Sequence, residues 1–349
     1  MQQRFLIGGR EVGRGCPAFL IAEVGSNFDR DLDRAFRLID LAVECGADAV
    51  KFQSFLPDRI INRKAFEGLK LGFQAKWGKD VYTVYHEAHL PREWHEKLMR
   101  HCERAGTIFF SSPYDFAGVD LLADLGAPAL KIGSGDVTWL EMLRHQAAKN
   151  LPIMMGVGAC TLAEVDQAVR TLTDAGCDRL ILLQCVTNYP SGFDSANLKA
   201  MVNMGHMFNL PYGYSDHTPG HTVAVGAVAL GGSVIEKHFT DDKTRSGPDH
   251  PFAMDGAEFK AMAQAVRELE RALGDGVKRV AAEEGQTVIL QRRSLYAARP
   301  LKAGQVLTRD DLVVLRPQHG ITPDHLERVV GRTLARDVGE LEPVTWEHL

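Results

Sequence analysis

Eight short apolar runs, separated by stretches of helical periodicity, constrain this chain more than any other feature. They lie near residues 18–24, 48–53, 107–112, 129–134, 152–157, 179–185, 211–215 and 233–239. Between them, Leu32, Ala35, Phe36, Ile39, Ala42 and Val43 fall on one face at 3.6-residue spacing. Thr161 and Glu164 read as a capping box opening a helix that buries Val165, Val169 and Leu172. Asp255 and Glu258 open another, with Phe259, Met262, Val266 and Leu269 inside. Gly46 and Gly176 sit where helices end. Parallel neighbours need crossover helices, and eight such units are the number that closes a barrel. The expected fold is therefore α/β, a TIM (β/α)8 barrel over residues 1–275, with an open doubly wound sheet as the alternative. Residues 54–90 break the rhythm and read as a long loop over the barrel mouth.

The chain has 349 residues, enough for a barrel and a smaller module. After about 275 the pattern changes. Residues 276–290 read as a linker. Residues 291–349 read as short strands and turns punctuated by Gly304, Pro317 and Gly320. So small a module is expected to pack on the barrel or on a partner chain. Net charge is −5 with scattered lysines and arginines, which argues against nucleic acid or an anionic membrane as partner. Six cysteines without a C-x-x-C pair suit reduced thiols, and the first residues lack a secretory pattern, so a cytoplasmic location is expected. No G-x-G-x-x-G, P-loop or G-x-S-x-G motif is present, which removes support for nicotinamide, P-loop nucleotide and serine-hydrolase chemistry.

Active sites of such barrels lie at the carboxyl ends of the strands. Seven of the eight expected strands end in reactive residues, including Glu23, Lys51, Gln53, Ser112, Lys131, Ser134, Asp136, Thr187, Tyr189, Ser215, His217 and His238. Two lysines and several hydroxyls suit an anion rich in oxygen. Lys237 is either a third cation or the ion-pair partner of Glu236 or Asp216. A Schiff-base lysine is a further use of such a residue. His217 and His238 end adjacent strands, so their imidazoles can share a divalent ion such as Mn2+, Co2+ or Fe2+. Asp249, in the loop after the last strand, is placed as a ligand or as the holder of a metal-bound water.

The stretches AEVGSN (22–27), KFQSF (51–55), SSPYD (111–115), KIGSGD (131–136), QCVTNYPSG (184–192), GYSDHTPG (213–220), VIEKHFT (234–240) and GPDH (247–250) resemble the N-acetylneuraminate (sialic acid) synthase family. The tail, RRSLYAA through LRPQHGI, is similar to the SAF, or antifreeze-like, domain that ends these synthases. The resemblance implies a divalent metal, Mn2+ first with Mg2+ and Co2+ as alternatives, held by His217 and His238. It implies condensation of phosphoenolpyruvate with N-acetylmannosamine or a related hexosamine, giving a nonulosonic acid and phosphate. Lys51, Ser112, Lys131, Ser134, Thr187 and Ser215 would bind phosphoenolpyruvate. Glu23, Asp136 and Asp249 would serve the reacting centre, and Gln53 and Tyr189 would face the sugar. Arg316 would reach the sugar's acyl group from the partner of a domain-swapped homodimer.

The sequence departs from the family pattern at five places, two of them SSPYD (111–115) for S-T-P-F-D and Asp136 where Glu is common. Gly156-Val-Gly158-Ala stands where S-T-G-M is usual, PFAMD follows GPDH, and Phe28-Asp29 follows Asn27. These leave the acceptor sugar open. They also leave two other readings: a related 3-deoxy sugar acid synthase, or a catalytically impaired sugar-binding barrel.

Overall fold

The computed structural model describes residues 1–67 and 77–349. Two compact units divide at Gly274/Asp275. In the first unit, among the described residues, eight parallel strands close into a barrel in the order β10-β3-β4-β5-β6-β7-β8-β9. They are β3 (Phe19–Gly25), β4 (Ala49–Ser54), β5 (Ile108–Pro113), β6 (Leu130–Ile132), β7 (Ile153–Gly156), β8 (Leu180–Cys185), β9 (Tyr212–Asp216) and β10 (Val234–His238). The TIM-barrel expectation holds, because every sequential pair in the closed sheet is parallel and each connection carries helix.

Local chemistry sets the helices. Asp31 caps the helix Leu32–Glu44, which buries Ala35, Leu38, Ile39 and Ala42. The two capping boxes form as the sequence predicts, at Thr161–Glu164 and Asp255–Glu258. Gly46 and Gly176 take φ of 89° and 93°, a left-handed turn that a Cβ disfavours.

An N-terminal hairpin, β1 (Arg4–Ile7) with β2 (Arg10–Gly13), was not anticipated from the sequence. Its Phe5, Ile7 and Val12 join Phe19, Ile21, Phe110, Met154, Ile181 and Val234 in one buried cluster. These residues lie at the amino-terminal parts of the strands, so the hairpin plugs the barrel floor. The interior is thus apolar below and charged only at the top. Asp48 staples this floor: it accepts from the Leu20 amide at 2.8 Å and from Arg267 at 2.8 Å, and pairs with Arg10.

Residues 54–90 are more ordered than the expected loop. They hold short helices Pro57–Ile60, Arg63–Phe66 and Val81–Ala88. The part of that expectation falling on residues 68–76 lies outside the described residues. In the second unit, β11 (Ser294–Ala297) pairs antiparallel with β12 (Leu312–Leu315) over a core of Leu295, Leu301, Leu307, Val329 and Val344. The helix Gly285–Gln291 falls within the segment read as a linker. No described helix is long and apolar enough to cross a membrane.

Gly213 marks a close backbone contact between two barrel strands. A Cβ there would lie 2.1 Å from the Val234 carbonyl oxygen of β10. Backbone cannot yield as a side-chain tip can, so Gly213→Ala is expected to destabilise the fold by on the order of 3 kcal/mol. A lowered urea midpoint at constant slope checks this.

Candidate active site

The barrel register levels the reactive residues. His238 pairs with Glu23, Glu23 with Lys51, Gln53 with Ser112, and Glu236 with Ser215. Alternation in a strand sends every second side chain inward. Glu236 and His238 therefore share the inner face of β10, whereas Lys237 points outward and pairs with Asp216 at 2.8 Å. Lys237 also donates to the carbonyls of Thr218 and Gly220. It is a structural ion pair outside the site.

Six expected residues meet in one buried network centred on two carboxylates. Lys51 Nζ lies 2.5 Å from Glu23, 3.6 Å from Glu236 and 3.3 Å from the Ser112 hydroxyl. Lys131 Nζ donates to both Glu236 oxygens at 2.8 and 2.9 Å. The Ser215 hydroxyl donates to Glu236 at 3.1 Å, and the Gln53 amide donates to Glu23 at 2.7 Å. Burial alone would lower the Lys51 ammonium, but Glu23 and Glu236 outweigh it and hold it above the ordinary lysine value. Burial likewise opposes the Glu236 carboxylate, yet Lys131 and then Lys51 hold it well below the ordinary range. Lys51 and Glu236 are therefore held in their charged forms, each against partners of opposite sign in the same network. Glu236 had not been placed in the site from the sequence. The period-two alternation of β10 was the signal that separates it from Lys237.

A second cluster sits beside the first. The His217 and His238 ring centroids are 5.5 Å apart, and Tyr189 packs 4.2 Å from His217 and 5.7 Å from His238. Burial, then the neighbouring His238, push the His217 imidazole down to about 3, so it is neutral at physiological pH. The Val186 carbonyl accepts from His217 Nδ1 at 2.7 Å, which puts the ring proton there and leaves Nε2 with its lone pair. His238 Nδ1 is buried with no hydrogen-bond partner. An orphaned His238 nitrogen beside the neutral His217 imidazole fits a divalent cation of intermediate softness. Among the described residues no group of three or more His, Cys, Asp or Glu converges for a metal, so a cation here would rest on these two imidazoles and on oxygen ligands from elsewhere.

Asp249 reaches this cluster from the loop after β10. Its Oδ2 accepts from the Ser26 amide at 3.1 Å and the Ser26 hydroxyl at 2.8 Å. Gly25 makes room for it: a Cβ there would stand 2.6 Å from Asp249 Oδ2 and 3.4 Å from His238 Nδ1.

Ser134 and Thr187 form a third corner. Ser134 Oγ lies 3.0 Å from Cys185 Sγ and accepts from the Gly158 amide at 3.0 Å. A Cβ on Gly158 would meet Thr187 at 2.9 Å, and one on Gly156 would meet Ser134 Oγ at 3.0 Å. The glycines at these two positions thus match the space around Ser134. Asp136 follows on a turn, with Oδ2 buried and unpartnered. Burial raises its carboxyl to about 6. Arg316 belongs to the second unit and is exposed.

The cavity at the mouth is lined by Gln53, Tyr189, His238 and Asp249 on its floor. Its wall is Phe55, Trp77, Val84, Tyr85, Ala88 and Tyr114, mostly from the segment read as a loop. Phe55 packs 5.1 Å from Tyr85 and 6.2 Å from Tyr114. These wall residues were missed because their chain segment has no periodicity.

The fold and the mouth together define a (β/α)8 protein with a buried lysine–carboxylate network beside two imidazoles. The chain belongs to the NeuB family, which its residues 38–278 match, and residues 292–349 match the SAF domain. It is 38% identical to the N,N'-diacetyllegionaminic acid synthase of Legionella pneumophila, covering 99% of this chain and 98% of the relative. It is 34% identical to the human N-acetylneuraminate-9-phosphate synthase, covering 98% of this chain and 95% of the relative. The crystal structure of N-acetylneuraminic acid synthetase from Leptospira borgpetersenii superposes with a TM-score of 0.71 at 28% identity, over 82% of this chain and 95% of that one.

The raised Asp136 carboxyl has a thermodynamic signature. Its stabilising contribution is complete below the ordinary value of 3.8 and is lost as pH rises through about 6. Asp136→Asn, which removes the charge but keeps the shape, is expected to be more stable than the parent at pH 8 by about 1–3 kcal/mol. That advantage shrinks toward pH 4. Denaturant midpoints at the two pH values check the sign.

Proposed function

We propose that this chain condenses phosphoenolpyruvate with an unphosphorylated 2-acylamino hexose in its open aldehyde form, releasing phosphate and a nonulosonic acid. The observation that carries this reading is the pairing of Lys51 and Lys131 with Glu23 and Glu236 directly beside His217 and His238. Phosphoenolpyruvate brings phosphate and carboxylate oxygens to a cradle already built for oxyanions. Lys51 turns from Glu23 to the ligand, and Lys131 follows while Glu236 keeps its spacing. Ser112, Ser134, Thr187 and Ser215 add neutral donors that fix orientation.

His217 and His238 would hold the divalent ion, for which we favour Mn2+. When bound, the ion supplies Lewis acidity at the acceptor's aldehyde oxygen. The enol carbon of phosphoenolpyruvate attacks the aldehyde carbon, and the aldehyde oxygen takes up a proton from solvent water. Water then adds at the former enol C2, giving its proton to Asp136 or to Glu23 once Lys51 has turned away. An acid near 6 is well matched to that transfer at neutral pH. Phosphate leaves by C–O cleavage. Asp249, Gln53 and Tyr189 line the cavity that receives the acceptor.

The acceptor's class follows from the wall. Aromatic and apolar groups face it, and no lysine or arginine lines it among the described residues. Methyl groups of acylamino or deoxy substituents pack well there, whereas the nearest cations, Lys79, Arg30 and Arg245, line the adjoining outer spaces and not this cavity. The likeness to legionaminic acid synthases supports the same choice. In this reading the protein works as a cytoplasmic, domain-swapped homodimer, and Arg316 of one subunit contacts the acyl group held by the other.

Inorganic phosphate release, with products read by mass, tests the reading across 2-acetamido and 2,4-diacetamido hexoses and their 6-phosphates. Turnover of neutral diacetamido or monoacetamido acceptors is expected. Faster turnover of a 6-phosphate would contradict the acceptor class. His238→Ala is expected to lose bound metal and at least about a hundredfold in kcat while remaining folded. Arg316→Ala is expected to raise the sugar KM about tenfold and leave the phosphoenolpyruvate KM nearly unchanged. The reverse pattern in steady-state kinetics would remove the swapped-tail proposal.

A further inference from the structure

One turn at the rim of the mouth holds an unfavourable conformation for a reason the reaction itself does not explain. Asp29 and Arg30 follow one another in the left-handed region, with φ of 52° and 55°. Residues with a Cβ rarely adopt it, and long side chains such as arginine least of all. Such outliers persist where surrounding contacts over-determine them, and they gather at functional sites.

The contacts are on the page. The Asp29 carboxylate accepts from Arg245 and from His250 Nε2 at 2.9 Å, and lies 3.4 Å from Arg34 Nε. Arg245 Nη2 approaches it to 2.7 Å. His250 is fully buried, and its other nitrogen bonds the Thr240 hydroxyl at 2.7 Å. Asp29 therefore holds both ends of the segment 245–250, and Asp249 lies inside that segment. Arg30 turns the other way. Its guanidinium donates to the His86 carbonyl at 3.0 Å. His86 sits in the helix Val81–Ala88, which carries Val84, Tyr85 and Ala88 of the cavity wall.

We propose that the Asp29–Arg30 turn is a clamp for the acceptor half of the site, with Asp29 fixing the loop that carries Asp249 and Arg30 fixing the helix that carries the wall. The two are positioning residues, since neither lines the inner cavity. Among the described residues no hydrogen bond or ion pair joins Asp29 or Arg30 to Lys51 or Lys131. The clamp sets the acceptor's pose and leaves phosphoenolpyruvate binding alone. The inference rests on the acceptor reading of the mouth.

Glycine relieves the backbone at either position, so Asp29→Gly and Arg30→Gly remove the side-chain tie without adding strain. Two readouts are taken on the full chain. In hydrogen exchange, Asp29→Gly is expected to speed exchange in 241–250 and Arg30→Gly in 81–88. In kinetics, each is expected to lower kcat/KM for the acceptor about tenfold, with the phosphoenolpyruvate KM within about twofold. Asp29→Asn keeps an acceptor for His250, and Arg30→Lys keeps a donor for His86, so each is expected to recover part of both effects. Unchanged exchange in the two glycine variants, or equal rises in both KM values, would overturn the clamp. Exchange needs no substrate. A parent protein that turns over no sugar would therefore count against the functional reading alone, while exchange still decides the clamp.

Discussion

Four opposite charges buried at the top of a closed barrel set the terms for everything else in this protein. Ions removed from water must be paired, or they neutralise or unfold the site. Lys51 and Lys131 are paired with Glu23 and Glu236 inside a wall of eight strands. The hairpin plug makes the floor apolar, so the charge has one open direction, toward the mouth. In the proposed reading a ligand with several anionic oxygens would take over a carboxylate's role at a lysine, which a neutral ligand would not.

The neighbouring imidazoles work by the opposite principle. Both are aromatic-packed, His217 is held neutral, and His238 Nδ1 has no hydrogen-bond partner. In the proposed reading neutral nitrogen donors would hold a cation and the lysines an anion, which would bring an electrophile's activator within reach of a bound enol. The acceptor would then be governed by a third set of residues, on loops next to the Asp29–Arg30 turn and the space at Gly25. On that reading lysine network and imidazoles belong to the barrel strands and their ends while acceptor choice belongs to loops, a division that would let acceptor specificity vary over an unchanged barrel.

Most of the strand scaffold was legible in the amino-acid sequence because alternation of apolar strand and amphipathic helix is a local signal. The capping residues Thr161 and Asp255 and the closing Gly46 were equally local. The N-terminal hairpin was missed although Gly8-Gly9 between two short runs is a turn signal, and the structure gives both glycines positive φ. Its strands are too short for periodicity to weigh. The aromatic wall was missed because Phe55, Tyr85 and Tyr114 come together only when the chain folds over the mouth. Lys237 and Glu236 show the finer limit. A one-residue shift along β10 exchanges inside for outside, and only the paired register assigns them.

The central claim is that the two lysines exchange carboxylate partners for phosphoenolpyruvate next to a cation held by two histidines. Anomalous diffraction from crystals grown with phosphoenolpyruvate and Mn2+ addresses it directly. The account predicts an anomalous peak between His217 and His238, with ligand oxyanions on Lys51 and Lys131. Manganese bound elsewhere, or lysines still closed on Glu23 and Glu236 with the ligand outside the barrel, would contradict it.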